Sequence, residues 1–168
     1  MIIIIKSIIT GLDFIISISL AILLFFFLPI QTNVFLVKDI YGVAIPILSI
    51  IFPVFFASLA IIITSSRDDF AMFLQERGYF ENLLSLFKFT LIIIFFSLLL
   101  TIFLYIHASI LINNGIKTQY KLYLILFSFF FLYSLLSSLN AILGVIKYAK
   151  NRIQFEQQTP NDTANRGR

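Results

Sequence analysis

The sequence predicts an all-α, polytopic membrane protein: a bundle of four transmembrane helices, with a short cytoplasmic helix between the second and third spans. Three observations predict it. Of the 168 residues, 60% are hydrophobic and only 12% are charged, far from the balance of a soluble domain. Four runs carry no Asp, Glu, Lys or Arg: 14–37, 40–66, 89–116 and 122–146, which are 24, 27, 28 and 25 residues long. About 20 apolar residues cross a bilayer core as a helix. Nine basic residues (Lys6, Arg67, Arg77, Lys88, Lys147, Lys150, Arg152, Arg166, Arg168) fall on one side of such a layout, and three (Lys38, Lys117, Lys121) on the other. Cytoplasmic loops carry the excess of Lys and Arg, so both termini and the central link are expected in the cytoplasm.

The spans are expected at about 12–31, 42–64, 84–107 and 122–146, within a membrane domain of residues 1–156. The N-terminal stretch holds one lysine and no small-residue cleavage site, so it does not read as a cleaved signal. Lys6, Thr10 and Asp13 recur at helical spacing and form a narrow polar stripe. Asp13 is the one acid placed to enter the membrane, and an intramembrane carboxylate is a functional candidate. The plainer alternative is an interfacial residue, hydrated or paired with Lys6.

Residues Thr32–Tyr41 read as a short loop. Pro46 and Pro53, seven apart on one face of the second span, each remove a backbone donor and free a carbonyl. A kink or a moving bend is expected there, with Ser49 and Ser58 available to re-satisfy freed groups.

The central link holds seven of the chain's charged residues between Arg67 and Lys88. Ser66 followed by Asp69 resembles a capping box, and Asp68 and Asp69 suit a first helical turn. Phe70, Phe73 and Leu74 share one apolar face. Gly78 marks a break, and Arg77 and Glu81 sit at pairing distance if the helix continues. Two uses fit this helix: lying on the inner headgroups, or docking a soluble partner through Arg67, Asp68, Asp69, Glu76, Arg77 and Glu81.

His107, at the end of the third span, reads as an interfacial residue, because no other metal-ligating side chain lies near it. Asn113, Asn114 and Gly115 form a turn, and Tyr120 and Tyr123 open the fourth span as interface aromatics. On the fourth span Ser134, Ser137, Ser138, Ala141 and Gly144 recur at steps of three and four. Small residues let helices approach closely in lipid. The face therefore serves either packing within the bundle or an oligomer seam or pore lining, with Asn140 as a further intramembrane polar group. The tail, residues 157–168, is polar and expected to be disordered.

The chemistry of an enzyme is not in view. Cysteine is absent, and no phosphate loop, nucleophile elbow or metal-spaced cluster occurs. Asp68 and Asp69 are adjacent, so on a helix they diverge by about 100°. A non-enzyme without metal or cofactor is expected, and no basic stripe with interleaved aromatics points to direct nucleic-acid binding.

The central stretch also resembles something. A span ending in IIITSS, then RDDFAMFLQERGYFENLL running into the next span, with the turn Glu76-Arg77-Gly78-Tyr79, is similar over about 30 residues to small four-span bacterial membrane proteins used against phage. These are the membrane subunit of the Kiwa defence system and the membrane protein of the lambdoid Rex exclusion system. The Kiwa resemblance implies a homo-oligomeric inner-membrane sensor or scaffold, with a tetramer as one size considered, that detects phage-induced membrane change. It further implies a soluble cytoplasmic DNA-binding effector as partner. The Rex resemblance implies an ion-conducting pore that depolarises infected cells, with Asp13, Asn140 and the Ser134–Ser138 face inside it.

Overall fold

A computed structural model describes the backbone of residues 11–64 and 79–165. Its elements run α1 (Leu12–Phe27), β1 (Gln31–Asn33), α2 (Val34–Thr64), α3 (Tyr79–Asn113), β2 (Thr118–Tyr120) and α4 (Lys121–Asn165). Among the described residues three segments are long and apolar enough to cross a membrane: Val34–Ala60, Glu81–Asn113 and Lys121–Lys147. The fourth helix, α1, is apolar but has only 16 residues. The expected link helix, with Arg67, Asp68, Asp69, Glu76 and Arg77, lies outside the described residues.

Each boundary has a local cause. Leu28 has left the helical region (φ −80, ψ 139) because the residue before a proline is pushed toward extended backbone. So α1 ends at Phe27 rather than near 31. The expected loop 32–41 is instead strand and helix. The Asn33 side-chain oxygen accepts from the Phe35 amide at 3.0 Å, an N-cap that starts α2 at Val34. α2 then runs unbroken through Pro46 and Pro53. Ser58 donates to the Val54 carbonyl at 2.8 Å, which neither proline frees.

α3 ends in a Schellman motif. The Gly115 amide donates to the Ile112 carbonyl and the Ile116 amide to the Leu111 carbonyl, both at 2.9 Å. Gly115 takes the left-handed conformation (φ 75) that the motif requires. At the other end of the chain α4 continues to Asn165, where the composition points to a disordered tail. Extending an existing helix needs no new nucleus.

α2 packs along α3, α3 along α4, and α4 along α1. The buried positions show why. On α3, Phe87, Thr90, Ile94, Ser97, Thr101, Leu104 and Ala108 are buried at alternating steps of three and four. On α2, Val34, Val37, Tyr41, Ala44 and Leu48 do the same. This is the seam of paired antiparallel helices. Large apolar side chains such as Phe26, Ile50, Phe103 and Leu143 point outward, as expected where the solvent is lipid. Beside Phe127 and Phe131 of α4, a groove of about 790 Å³ separates Leu24 of α1 from Ile40 and Val43 of α2.

The two strands pair antiparallel, Gln31 with Tyr120, Thr32 with Gln119 and Asn33 with Thr118. Flanking bonds from the Val34 amide to the Lys117 carbonyl and from the Lys121 amide to the Ile30 carbonyl extend the ladder. This small sheet closes one end of the bundle, the sheet end below.

Candidate functional site

Among the described residues, two places stand out as candidates for polar chemistry. The first is Asp13. It lies in the first turn of α1, where the helix dipole favours a carboxylate. Its carbonyl accepts from the buried Ser17 hydroxyl at 2.7 Å. The register of α1 on α4 fixes its level along α4. The Phe14 ring meets Phe129 at 5.8 Å and Tyr133 at 5.7 Å, both edge-on. At the other end of α1, Lys121 reaches the Phe25 carbonyl. The apolar segment of α4 runs Lys121–Lys147, so Phe129 and Tyr133 stand at its middle. The half-buried Asp13 is therefore level with the centre of that segment rather than with either end.

The second place is a pocket of about 320 Å³ at the sheet end, lined by Gln31, His107, Leu111, Ile116, Thr118, Gln119, Tyr120 and Tyr123. The Schellman turn brings Leu111 and Ile116 together on one side. The sheet supplies Gln31, Thr118, Gln119 and Tyr120 on the other. His107 and Tyr123 face each other across α3 and α4, with ring centroids 4.9 Å apart. Gln119 is only 4% exposed. Its side-chain nitrogen donates to the Tyr41 hydroxyl at 3.3 Å, and its backbone carbonyl accepts from the Thr32 hydroxyl at 3.3 Å. The Gln119 side-chain oxygen and His107 Nδ1 are buried without a hydrogen-bond partner. Such groups are costly and call for a ligand or water.

The small-residue face of α4 is used within the chain. Ser134, Ser137, Ser138 and Ala141 are buried, and the Ser137 and Thr90 hydroxyls lie 3.0 Å apart, joining α4 to α3. A side chain at Gly144 would meet Leu83 of α3 at 3.3 Å. Of the two uses the sequence offers for this face, packing within the bundle is the one these contacts make. Asn140 is exposed and is not gathered with the buried serines or with Asp13. Glu81, the one described member of the expected docking set, is exposed in the first turn of α3.

The pocket at the sheet end is not evident in the sequence. His107 has only apolar residues three and four positions away on its own helix (Phe103, Leu104, Ile110, Leu111); its companion Gln119 comes back only because the Gly115 turn reverses the chain. The available signal is that reversal: a Gly-ended helix followed closely by a second polar–aromatic cluster. Among the described residues no cluster of His, Cys, Asp or Glu is arranged to hold a metal ion. Compared with known proteins, the chain matches no family model, no curated protein and no solved structure.

Proposed function

We propose that this chain is a sensor subunit of the bacterial inner membrane, holding a soluble effector on its cytoplasmic side and responding to changes in the membrane itself. The observation that carries this reading is the depth of Asp13. Moving one charge across the whole membrane is worth about 2.3 kcal/mol per 100 mV. A carboxylate at mid-depth therefore feels about half of that, and copies in a homo-oligomer add. Loss of membrane potential would relax that force on α1.

In this reading all four helices cross the membrane, both termini are cytoplasmic, and the sheet end faces outward. The start of α1 stands level with the middle of the apolar segment Lys121–Lys147 of α4, and the sequence before residue 12 has only Lys6, Ser7 and Thr10 as polar residues. The effector would be held by Arg67, Asp68, Asp69, Glu76, Arg77 and Glu81. The phage-defence role rests on the resemblance of about 30 residues, from IIITSS at 61–66 through RDDFAMFLQERGYFENLL at 67–84, to the Kiwa membrane subunit, and with it the DNA-binding nature of the effector. A pore is less well supported, because the Ser134–Ser138 face packs against this chain's own helices.

The test is Asp13→Asn in cells carrying the neighbouring genes. In wild type, collapsing the potential with a protonophore should change how much cytoplasmic partner co-purifies with the chain. Asp13→Asn should abolish that change while leaving membrane level normal, and Asp13→Glu should restore it. An unaltered response in Asp13→Asn would remove Asp13 as the sensing charge. Ion flux through reconstituted vesicles would favour the pore.

A further inference from the structure

We propose that the pocket at the sheet end binds a neutral, hydroxyl-bearing ring, a single saccharide unit, held between the His107–Tyr123 pair and Gln119. The lining decides the class of ligand. None of the residues that form the pocket is Asp, Glu, Lys or Arg, so it holds no permanently charged group for a phosphate, carboxylate or ammonium. The walls mix aromatic and aliphatic surface (Tyr120, Tyr123, Leu111, Ile116) with a few polar groups, the usual make-up of a small-molecule site. At about 320 Å³ it sits at the bottom of the range for such sites, roughly 300–1,000 Å³, and suits one ring.

The polar groups narrow it further. Gln119 spends one end of its amide on Tyr41, and its other end is buried without a partner. Turning the amide over exchanges which atom is left, not whether one is left. His107 Nδ1 is likewise a donor in one tautomer and an acceptor in the other. A hydroxyl both donates and accepts, so it satisfies either arrangement at whichever of the two groups it meets when the side chain turns toward the pocket. Tyr120, 65% exposed at the rim, offers a flat face beside the entrance. The shared chemistry is a sugar ring; it can arrive as a free saccharide or as the headgroup of a glycolipid.

The experiment uses the full chain in phosphatidylcholine nanodiscs, prepared without alkyl-glycoside detergent, whose sugar headgroup would compete. N-acetylglucosamine is titrated and followed by saturation-transfer NMR and by tyrosine fluorescence, since the chain has seven Tyr and no Trp. A second set of nanodiscs carries monoglucosyl diacylglycerol and is read by thermal shift. Saturable binding of the free sugar, or a saturable shift with the glycolipid alone, supports the site and identifies its source. His107→Phe keeps the ring against Tyr123 and removes Nδ1; Gln119→Met removes both amide atoms. Each should weaken binding at least tenfold, about 1.4 kcal/mol. Should Gln119→Met fail to fold, because Tyr41 loses its partner, His107→Phe still tests the site. Absence of saturable binding in both arms overturns the proposal, as does wild-type affinity in His107→Phe. Competition by inorganic phosphate or ethanolamine at millimolar concentration would equally overturn it, by showing a site for charge.

Discussion

Lys121 reaches back from the first residue of α4 to the end of α1: its ammonium donates to the Phe25 carbonyl at 2.8 Å and lies 4.1 Å above the Phe25 ring. A cation on the last carbonyls of a helix complements its dipole, and the ring adds a cation–π contact. Lys121→Met keeps the aliphatic stem and removes the donors. The contact is exposed, so the expected cost is about 1 kcal/mol. It should appear as a lowered thermal midpoint in detergent, largely recovered by Lys121→Arg. An unchanged midpoint in Lys121→Met would show that the sheet alone holds this end of α1.

The Thr90–Ser137 pair predicts a different pattern. Ser137→Ala leaves the buried Thr90 hydroxyl without its cross-helix partner and should cost about 1–2 kcal/mol in reversible unfolding. Replacing both, Thr90→Val with Ser137→Ala, removes the unmet polar group and should lie closer to wild type than the sum of the single changes. Strict additivity would mean that the two hydroxyls do not interact.

Ala141 is fully buried against Leu48, Phe87 and Ile94. Ala141→Leu should therefore overpack the chain's own core, at about 1–3 kcal/mol. The expected result is a lower yield of folded protein in size-exclusion chromatography. A normally folded monomer in place of a larger wild-type particle would instead return this face to the subunit contact.

Gly115 tests backbone geometry in isolation. A Cβ there would have nothing within 4 Å, so Gly115→Ala should cost only the left-handed conformation, about 1–2 kcal/mol. The same change should loosen Ile116 against Leu111 and weaken any ligand of the sheet-end pocket. Stability equal to wild type would mean the turn adopts another conformation.

Reporter fusions address orientation. Fusions after Ser85 and after Gln158 should read cytoplasmic, and one at Gly115 periplasmic. A periplasmic reading at Gln158 would break the four-crossing arrangement.

Helices were legible because composition alone specifies them in lipid: where no water can satisfy a backbone amide, a long apolar run forms a helix. Which faces meet was legible only in part. The steps of three and four from Ser134 to Gly144 stood out because small residues are visible against Leu and Phe. The equivalent seam on α2, Val34 to Leu48, is hidden because neighbours such as Phe35, Leu36 and Ile47 are just as apolar. On α3 the polar positions Thr90, Ser97 and Thr101 mark the seam, yet read singly they look like scattered hydroxyls. The sheet and the pocket were illegible for a different reason. They depend on pairing between Thr32 and Gln119, and three-residue strands carry no periodicity to detect.

That pairing also imposes an order in time. Thr32 and its partner Gln119 are separated by 87 positions, and the stretch between them contains α2 and α3 entire. As the chain is made and threaded into the bilayer, the first helix arrives with no mate. α2 and α3 can zip together as soon as both are present, whereas α1 must wait until residues 118–121 emerge before its far end is fastened. Among the described helices, the earliest to be synthesised is thus the last to be fixed.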